Sequence, residues 1–374
     1  MRKIMYLGVD VDDKAFHGCG ITGDDKASEQ IFRFKTKPSA GALVEKLKEF
    51  EAKGFDLKVC YEATYIGFSL YRDLAAKKIN CTVIAPSSVP RKSGDTVKTD
   101  RVDSEKLAEY FKKDLLTAVH VPDEDLEQVR VLCRSRIFLA KQVRDLKRHV
   151  VSTCRRLGLN YRGSTNLKCP AYFTKMHLTW LKNEMSRSEL EYARFSMDMM
   201  LSQVTQLEGQ MQTLDEKIES IAEGARYKKK VNALKCYRGL DILSSMVLIT
   251  EIGDINRFSH PSKLTSFVGF DLREYSSGGR ERKFSISKMG NNRMRWTIVE
   301  ASQRAHKTPS ISNRLKYRRV GVEPEFIEIA DRCMKRLYKK SQRMLLAGKP
   351  VNKIKVACGR ELLGFVWESL RKAG

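Results

Sequence analysis

Residues 4–11 read Ile4-Met5-Tyr6-Leu7-Gly8-Val9-Asp10-Val11, an apolar run with an acid near its end. Such residues fit a pleated, half-buried surface, so the run predicts a strand. Phe16–Thr22 and Gln30–Thr36 are two more short strand-like runs, separated by the turn-like Thr22-Gly23-Asp24-Asp25. Residues 40–53 then carry Leu43, Leu47 and Phe50 at helical spacing. A strand is predicted over 57–61, a helix over 65–78, a strand over 79–85 that stops at Pro86, and a helix over 103–113. The order is β-β-β-α-β-α-β-α. Three leading strands suit a meander, and the later ones suit parallel additions through helical crossovers. That order is expected of an α/β RNase H-like mixed sheet. A nucleotide-binding α/β fold shares the letters, but no Gly-x-Gly-x-x-Gly or phosphate-loop motif follows any strand.

Beyond Asp125 the texture changes. Val129, Val143 and Val150 fall one or two heptads apart, as do Leu132, Leu139 and Leu146. Met197, Met200, Val204, Leu207, Met211, Leu214, Ile218 and Ile221 alternate steps of three and four. This apolar seam is the signature of a coiled coil or a long antiparallel helical hairpin, and it predicts a scaffold or dimer interface. Lys228-Lys229-Lys230 marks a boundary. Past it the chain reads as a mainly helical basic domain, with a Ser-, Gly- and Arg-rich loop over 276–288. The expected division is therefore 1–123, 124–230 and 231–374.

The 374 residues carry 70 Lys plus Arg against 45 Asp plus Glu, a net +25. Residues 1–123 hold 21 basic and 19 acidic residues, so the excess lies almost wholly downstream. A regional excess of this size points to a polyanion, above all nucleic acid. No apolar run approaches the roughly 18 residues of a membrane span, and no signal peptide is evident, so a cytoplasmic protein is expected. Nine cysteines without a Cys-x-x-Cys pair, and only six histidines, argue against structural zinc and for small buried thiols.

Four carboxylates occupy telling places. Asp10 closes the first strand and Glu62 the fourth, which are neighbours in an RNase H-like sheet. Asp100 and Asp103 lie three apart at the start of the helix after the fifth strand, where one helical turn puts both on one face. Such acids repel one another unless divalent cations neutralise them. All-oxygen donors favour Mg2+ or Mn2+, which stabilise the attacking and leaving oxygens of a phosphoryl transfer. Any one of these acids alone would be an ordinary cap, as Asp103 beside Lys106 would be. Asp12 and Asp13 are the decoys, and strand alternation makes Asp12 the stronger one.

Gly-Val-Asp-Val at Asp10, Tyr-Glu-Ala-Thr at Glu62 and Lys-Thr-Asp-Arg-Val-Asp at Asp100 and Asp103 resemble the DEDD transposases of the insertion sequence 110 family. Residues 251–258, 264–269, 273–279 and 286–291 resemble that family's C-terminal transposase domain, in the same order. The resemblance covers roughly 1–120 and 235–310. It implies a RuvC-like first domain and a recombinase of DNA that inserts and excises its own element. It also implies a noncoding bridge RNA that pairs with donor and target DNA, and Mg2+ held by the four acids. The nucleophilic serine then falls on Ser277, before Gly278-Gly279, with Ser276 as the alternative. A homo-oligomer, dimer or tetramer, working on the nucleoid of a bacterial or archaeal cell is expected.

The chemistry stands beside the name. A serine hydroxyl is a weak nucleophile until a base or a metal activates it. Arg280, Arg282 and Lys283 beside Ser277 are placed to balance phosphate charge. Arg314, Lys316, Arg318 and Arg319, and later Lys335, Arg336, Lys339 and Lys340, are candidate backbone contacts, with Tyr317 and Tyr338 interleaved. Asp241 departs from the family, whose members commonly have a glycine there, and an acid would repel a phosphate at that turn. The competing expectations are a RuvC-like nuclease that uses water, and a nucleic-acid-binding scaffold without catalysis.

Overall fold

The computed structural model describes residues 3–23, 28–86, 89, 100–165, 170–186, 190–277 and 280–374; the side chains of 100, 101 and 274–284 are not described. It divides into two compact units, Met1–Pro122 and Asp123–Gly374.

The first unit is a five-stranded mixed sheet. Its strands are β1 (Lys3–Val11), β2 (Phe16–Thr22), β3 (Gln30–Thr36), β4 (Phe55–Glu62) and β5 (Cys81–Ile84), and their spatial order is β3-β2-β1-β4-β5. β2 is antiparallel to β1 and β3, while β4 and β5 run parallel to β1 and to each other. Alternation sorts the side chains between two faces. Met5, Leu7, Val9, Leu57, Val59 and Tyr61 pack with α1 (Ala40–Ala52) and α2 (Ser69–Ala76). The opposite face receives α3 (Asp100–Lys112): Ala108 meets Cys19 and Ile21, and Leu107 meets Cys60 and Ile84.

The second unit opens with two long helices, α4 (Glu124–Arg156) and α6 (Glu191–Ala222), with α5 (Lys175–Met185) between them in sequence. At 33 and 32 residues, each is about 50 Å long. They run antiparallel. Arg136 pairs with Asp215 at 2.8 Å, Val143 packs on Val204 and Leu207, and Val150 on Met197. As the residue number rises on one helix it falls on the other. The heptad seam is thus buried inside one chain, the hairpin form of the two the spacing allowed.

The base of this hairpin shares a core with the rest of the unit, where Leu126, Val129, Cys133 and Ile218 join Leu234, Leu248, Phe270, Phe326 and Leu363. The remaining elements are α7 (Ala225–Lys235), α8 (Ile242–Ile252), α9 (Pro261–Val268), β6 (Leu272–Ser277), β7 (Arg280–Ile286), α10 (Asn292–Ala301), α11 (Asn313–Arg318), α12 (Pro324–Leu346) and α13 (Val351–Ala373). One expectation is corrected: residues 276–288 are not a loop throughout, because β6 and β7 form an antiparallel pair. Eight cysteines are described, all free thiols and seven of them buried, and burial pushes Cys236 up to about 12. Among the described residues no helix is long and apolar enough to cross a membrane.

Candidate active site

The register of the sheet sets the first pair of acids side by side. β1 and β4 are matched from Lys3↔Phe55 to Val9↔Tyr61, so the next residues along, Asp10 and Glu62, lie on adjacent strands at the same level. Val9 and Tyr61 point into the α1–α2 core, so Asp10 and Glu62 face the α3 side. Both are half-buried.

Gly8 brings α3 to the same place. A Cβ on Gly8 would stand 2.7 Å from the Leu107 Cβ, and closer still to Ser104 O and Ala108 N. Only a glycine lets the helix backbone approach β1 this way. Farther along, Phe111 packs edge-on against Tyr6 at 5.9 Å. α3 therefore runs back along β1, with its N-terminal end toward Asp10. Asp100 opens the helix and Asp103 is its fourth residue, half-buried in the first turn. Arg33 holds the same stretch of helix through Glu105, at 2.8 and 3.1 Å.

Asp12 and Asp13 each have a local partner. β1 ends at Val11, so alternation does not extend to Asp12. The Asp12 carboxylate accepts the Lys14 amide at 2.9 Å, and partial desolvation, then the Asp13 carboxylate, raises the Tyr65 pKa. One polar neighbour escaped the sequence reading: His17 on β2 is paired with Asp10, on the same face. The antiparallel meander carried that signal once its register was known.

Oxygen donors from two strands and the start of a helix suit a hard cation. Mg2+ keeps several waters and needs only one or two protein carboxylates besides substrate phosphates, so the Asp10–Glu62 pair fits it. Among the described residues no group of three or more His, Cys, Asp or Glu side chains is placed to hold a metal ion.

Ser277 ends β6, and its backbone is paired with Arg280 at the start of β7; Ser276 is paired with Glu281. In the same ladder the backbone of Arg282 is in register with Tyr275 and that of Lys283 with Glu274. The foot of this hairpin is firmly held. Ser287 N donates to Asp271 O at 2.7 Å and Lys288 N to Gly269 O at 3.1 Å. Asn291 caps α10 through its side-chain oxygen, and its Nδ2 donates to Glu251 at 2.7 Å. Glu251 is buried and takes a two-pronged bond from Arg134, at 2.7 and 2.8 Å. Burial pushes the Glu251 carboxyl up, but Arg134, Asn291 and Arg130 together hold it below its ordinary value.

The basic candidates divide by what they already hold. Arg318 donates to the carbonyls of Leu240 and Tyr237, and Arg319 bridges Cys236 O at 3.1 Å and Asp331 at 2.6 Å. Arg336 and Lys340 pair with Glu361 on α13. Arg314, Lys316, Lys335 and Lys339 are exposed, and Tyr317 is 81% exposed. Asp241 caps α8 reciprocally with Ser244, so this helix start is already closed by its own residues.

Two family models match this chain. One, described as a transposase and built on DEDD members, covers residues 7–157; the other, described as the transposase IS116/IS110/IS902 family, covers 231–316. The y4qE protein of Sinorhizobium fredii, which carries a transposase name, is 30% identical over 98% of this chain and 89% of its own length. This chain belongs to the IS110 family of DEDD transposases. The transposase for insertion sequence element IS1533 of Leptospira borgpetersenii is 27% identical over 92% of the chain and 97% of its own length. The transposase for element IS1111A of Coxiella burnetii is 22% identical over 81% and 78%. As an IS110-family transposase, the protein is an enzyme that cuts and rejoins DNA, with DNA as its partner.

Proposed function

We propose that this transposase cuts and rejoins DNA through a covalent serine–DNA link made by Ser277, with Asp10, Glu62, Asp100 and Asp103 as the cation-holding acids. The observation that carries the reading is the extent of the two family matches. Residues 7–157 take in all four acids, and 231–316 take in Ser277. The strand order β3-β2-β1-β4-β5, with β2 antiparallel, supports the RNase H-like reading of the first unit.

The Ser277 hydroxyl oxygen attacks a backbone phosphorus and loses its proton. An Oγ–P bond forms, the bond from phosphorus to one strand oxygen breaks, and that oxygen leaves as a hydroxyl. Rejoining reverses the exchange with a hydroxyl from another strand. Bond count is preserved, so no ATP is needed. A bound Mg2+ or Mn2+ supplies charge neutralisation at the phosphate. Asp10 and Glu62 hold fixed negative oxygens at one level of the sheet, and α3 carries the other two acids on the same face of the sheet. Arg280, Arg282 and Lys283 are assigned to phosphate contact, Arg314 and Lys316 to backbone binding. A bridge RNA encoded by the element is proposed to choose donor and target DNA, and a dimer or tetramer to hold both duplexes.

The full chain is incubated with DNA bearing the element's junctions, RNA transcribed from its noncoding flank, and Mg2+, then run on a denaturing gel. A protein-linked DNA band is expected in the wild type and in Ser276→Ala, and none in Ser277→Ala. Cutting without a linked band, retained in Ser277→Ala, overturns the reading in favour of a RuvC-like nuclease that uses water. Binding without any cutting leaves only a scaffold.

A further inference from the structure

The last turn of α8 gathers three arginines from outside the helix. Arg130 Nε donates to Thr250 O at 2.8 Å, Arg257 Nε donates to Ile252 O at 3.2 Å, and Arg134 grips the Glu251 carboxylate between them. Each contact by itself is ordinary, since helix C-terminal carbonyls attract cations. The charge balance is not. The Glu251 carboxylate is hydrogen-bonded by Arg134 and Asn291, and Arg130 feels its charge without bonding it. Among the described residues neither Arg130 nor Arg257 enters an ion pair, and each uses only Nε on the protein.

Arg257 is also held in orientation. Its guanidinium lies over the rings of Phe258 and Phe267, at 4.2 and 4.5 Å, while its residue remains exposed. Partial desolvation, then the charge of Arg130, lowers its pKa to about 10. Asp254 opposes that shift, but its side chain caps the Asn256 amide at 2.9 Å. A further arginine stands at the edge: Arg371 donates to Asn256 Oδ1 at 2.9 Å and lies over Trp367 at 5.4 Å. Two like charges are thus anchored on carbonyls of the same helix turn, Arg257 also on aromatic rings, with their terminal nitrogens uncommitted. Their mutual repulsion becomes attraction once an anion sits between them.

We propose that Arg130 and Arg257 form a binding pair for phosphodiester groups of a nucleic-acid backbone, with Arg371 at its rim. Guanidinium forks match phosphate oxygens two at a time, and a fork pinned at Nε on an aromatic face loses little freedom on binding. Capping of α8 alone explains the Nε bonds; it does not explain two guanidinia without a carboxylate partner at one helix turn. The inference needs neither Ser277 nor the four acids, and it survives if the serine link fails.

Duplex DNA and single-stranded RNA of equal length are titrated separately against the full chain and against Arg130→Gln/Arg257→Gln, across a range of salt. Affinity is expected to fall tenfold or more. The slope of log affinity against log salt should fall by about 1.8 for duplex DNA, or about 1.4 for single-stranded RNA, as two phosphate contacts are lost. Loss with one polymer only assigns the pair to that polymer; loss with both assigns a shared path. Unchanged affinity and slope with both overturns the proposal. Because the variant also removes two contacts to α8, wild-type protein is treated in parallel with phenylglyoxal, an arginine-selective reagent, and read by mass spectrometry. Protection of Arg130 and Arg257 by DNA or RNA, with exposed Arg194 unprotected, supports the pair. Equal modification with and without saturating amounts of both polymers overturns it, whether or not the variant folds.

Discussion

Gly8 on β1 and Leu107 on α3 stand so close that a methyl group on Gly8 would lie 2.7 Å from the Leu107 Cβ. This contact seats the helix that carries Asp100 and Asp103 against the strand that carries Asp10. Gly8→Ala must push α3 outward, and overpacking of this kind costs about 1–3 kcal/mol. The expected result is a lower denaturant midpoint for the first unit's unfolding, with DNA cutting reduced more than DNA binding. An alanine variant as stable and as active as the wild type would show that α3 is not seated this way.

Asp10→Asn and Glu62→Gln keep the size of each side chain and remove its charge. Charge stabilisation at a transferring phosphoryl group is worth several kcal/mol, so DNA cutting should fall at least about a hundredfold in either variant. Nucleic-acid affinity should stay within about twofold, since neither acid attracts a polyanion. Asp12→Asn is the internal comparison. Its carboxylate serves only the Lys14 amide among the hydrogen bonds described, and the variant should retain cutting. Loss of cutting in Asp12→Asn equal to that in Asp10→Asn would remove the distinction.

Local periodicity made the sheet legible. The alternation of Met5, Leu7 and Val9, and the helical spacing of Leu43 and Leu47, are properties of neighbouring residues, and the core they form is the one seen. The places of Asp10 and Glu62 near strand ends followed because strand ends are local too. Three things were not legible. Alternation was carried past Val11 to Asp12, where the chain already turns. The β6–β7 hairpin is charged and serine-rich, so it lacks the apolar alternation that announces a strand, and only backbone pairing defines it. The separation of structural from available arginines depends on distant partners. Arg130 meets a carbonyl 120 residues away, and Arg318 one 78 residues away.

The Arg134–Glu251 pair links α4 to the foot of the β6–β7 hairpin and gives a pH dependence of defined sign. Burial raises the Glu251 carboxyl, but its partners outweigh this, so the folded value lies below the ordinary 4.5. A depressed acid stabilises the fold above its unfolded pKa and ceases to do so as pH falls through the folded value. Glu251→Gln should therefore be less stable than wild type at neutral pH. The Arg134 side chain is 40% exposed, which puts the difference at about 1–2 kcal/mol rather than the larger figure for a fully buried pair. Thermal melts at several pH values should show that gap steady at neutral pH and narrowing below 4.5. A gap that widens with acid contradicts the assignment.

Arg319 and Lys316 lie on the same short stretch and should behave oppositely. The Arg319 side chain is 8% exposed and ties Asp331 to the Cys236 carbonyl. Arg319→Ala leaves both acceptors unmatched and should cost about 2–3 kcal/mol in unfolding experiments. Its effect on the salt slope of DNA binding by the folded protein should be small. Lys316→Ala, on an exposed side chain, should leave the melting temperature in place and lower that slope by about 0.9. Reversal of the two phenotypes would mean that exposure does not separate the roles.

Leu207 tests where the heptad seam is used. It is 6% exposed and packs with Val143 and Val204 between α4 and α6 of one chain. The sequence spacing also suited pairing between two chains, and the two arrangements differ in their dependence on concentration. An internal seam melts as part of the fold, so Leu207→Ala should lose about 2–4 kcal/mol, equally at low and high protein concentration. A seam between chains would lose stability in proportion to dissociation, and dilution would deepen the loss. Melts of wild type and Leu207→Ala over a hundredfold range of concentration separate these outcomes. Parallel light scattering should show the same mass for both proteins, because the face that Leu207 occupies is already covered by α4.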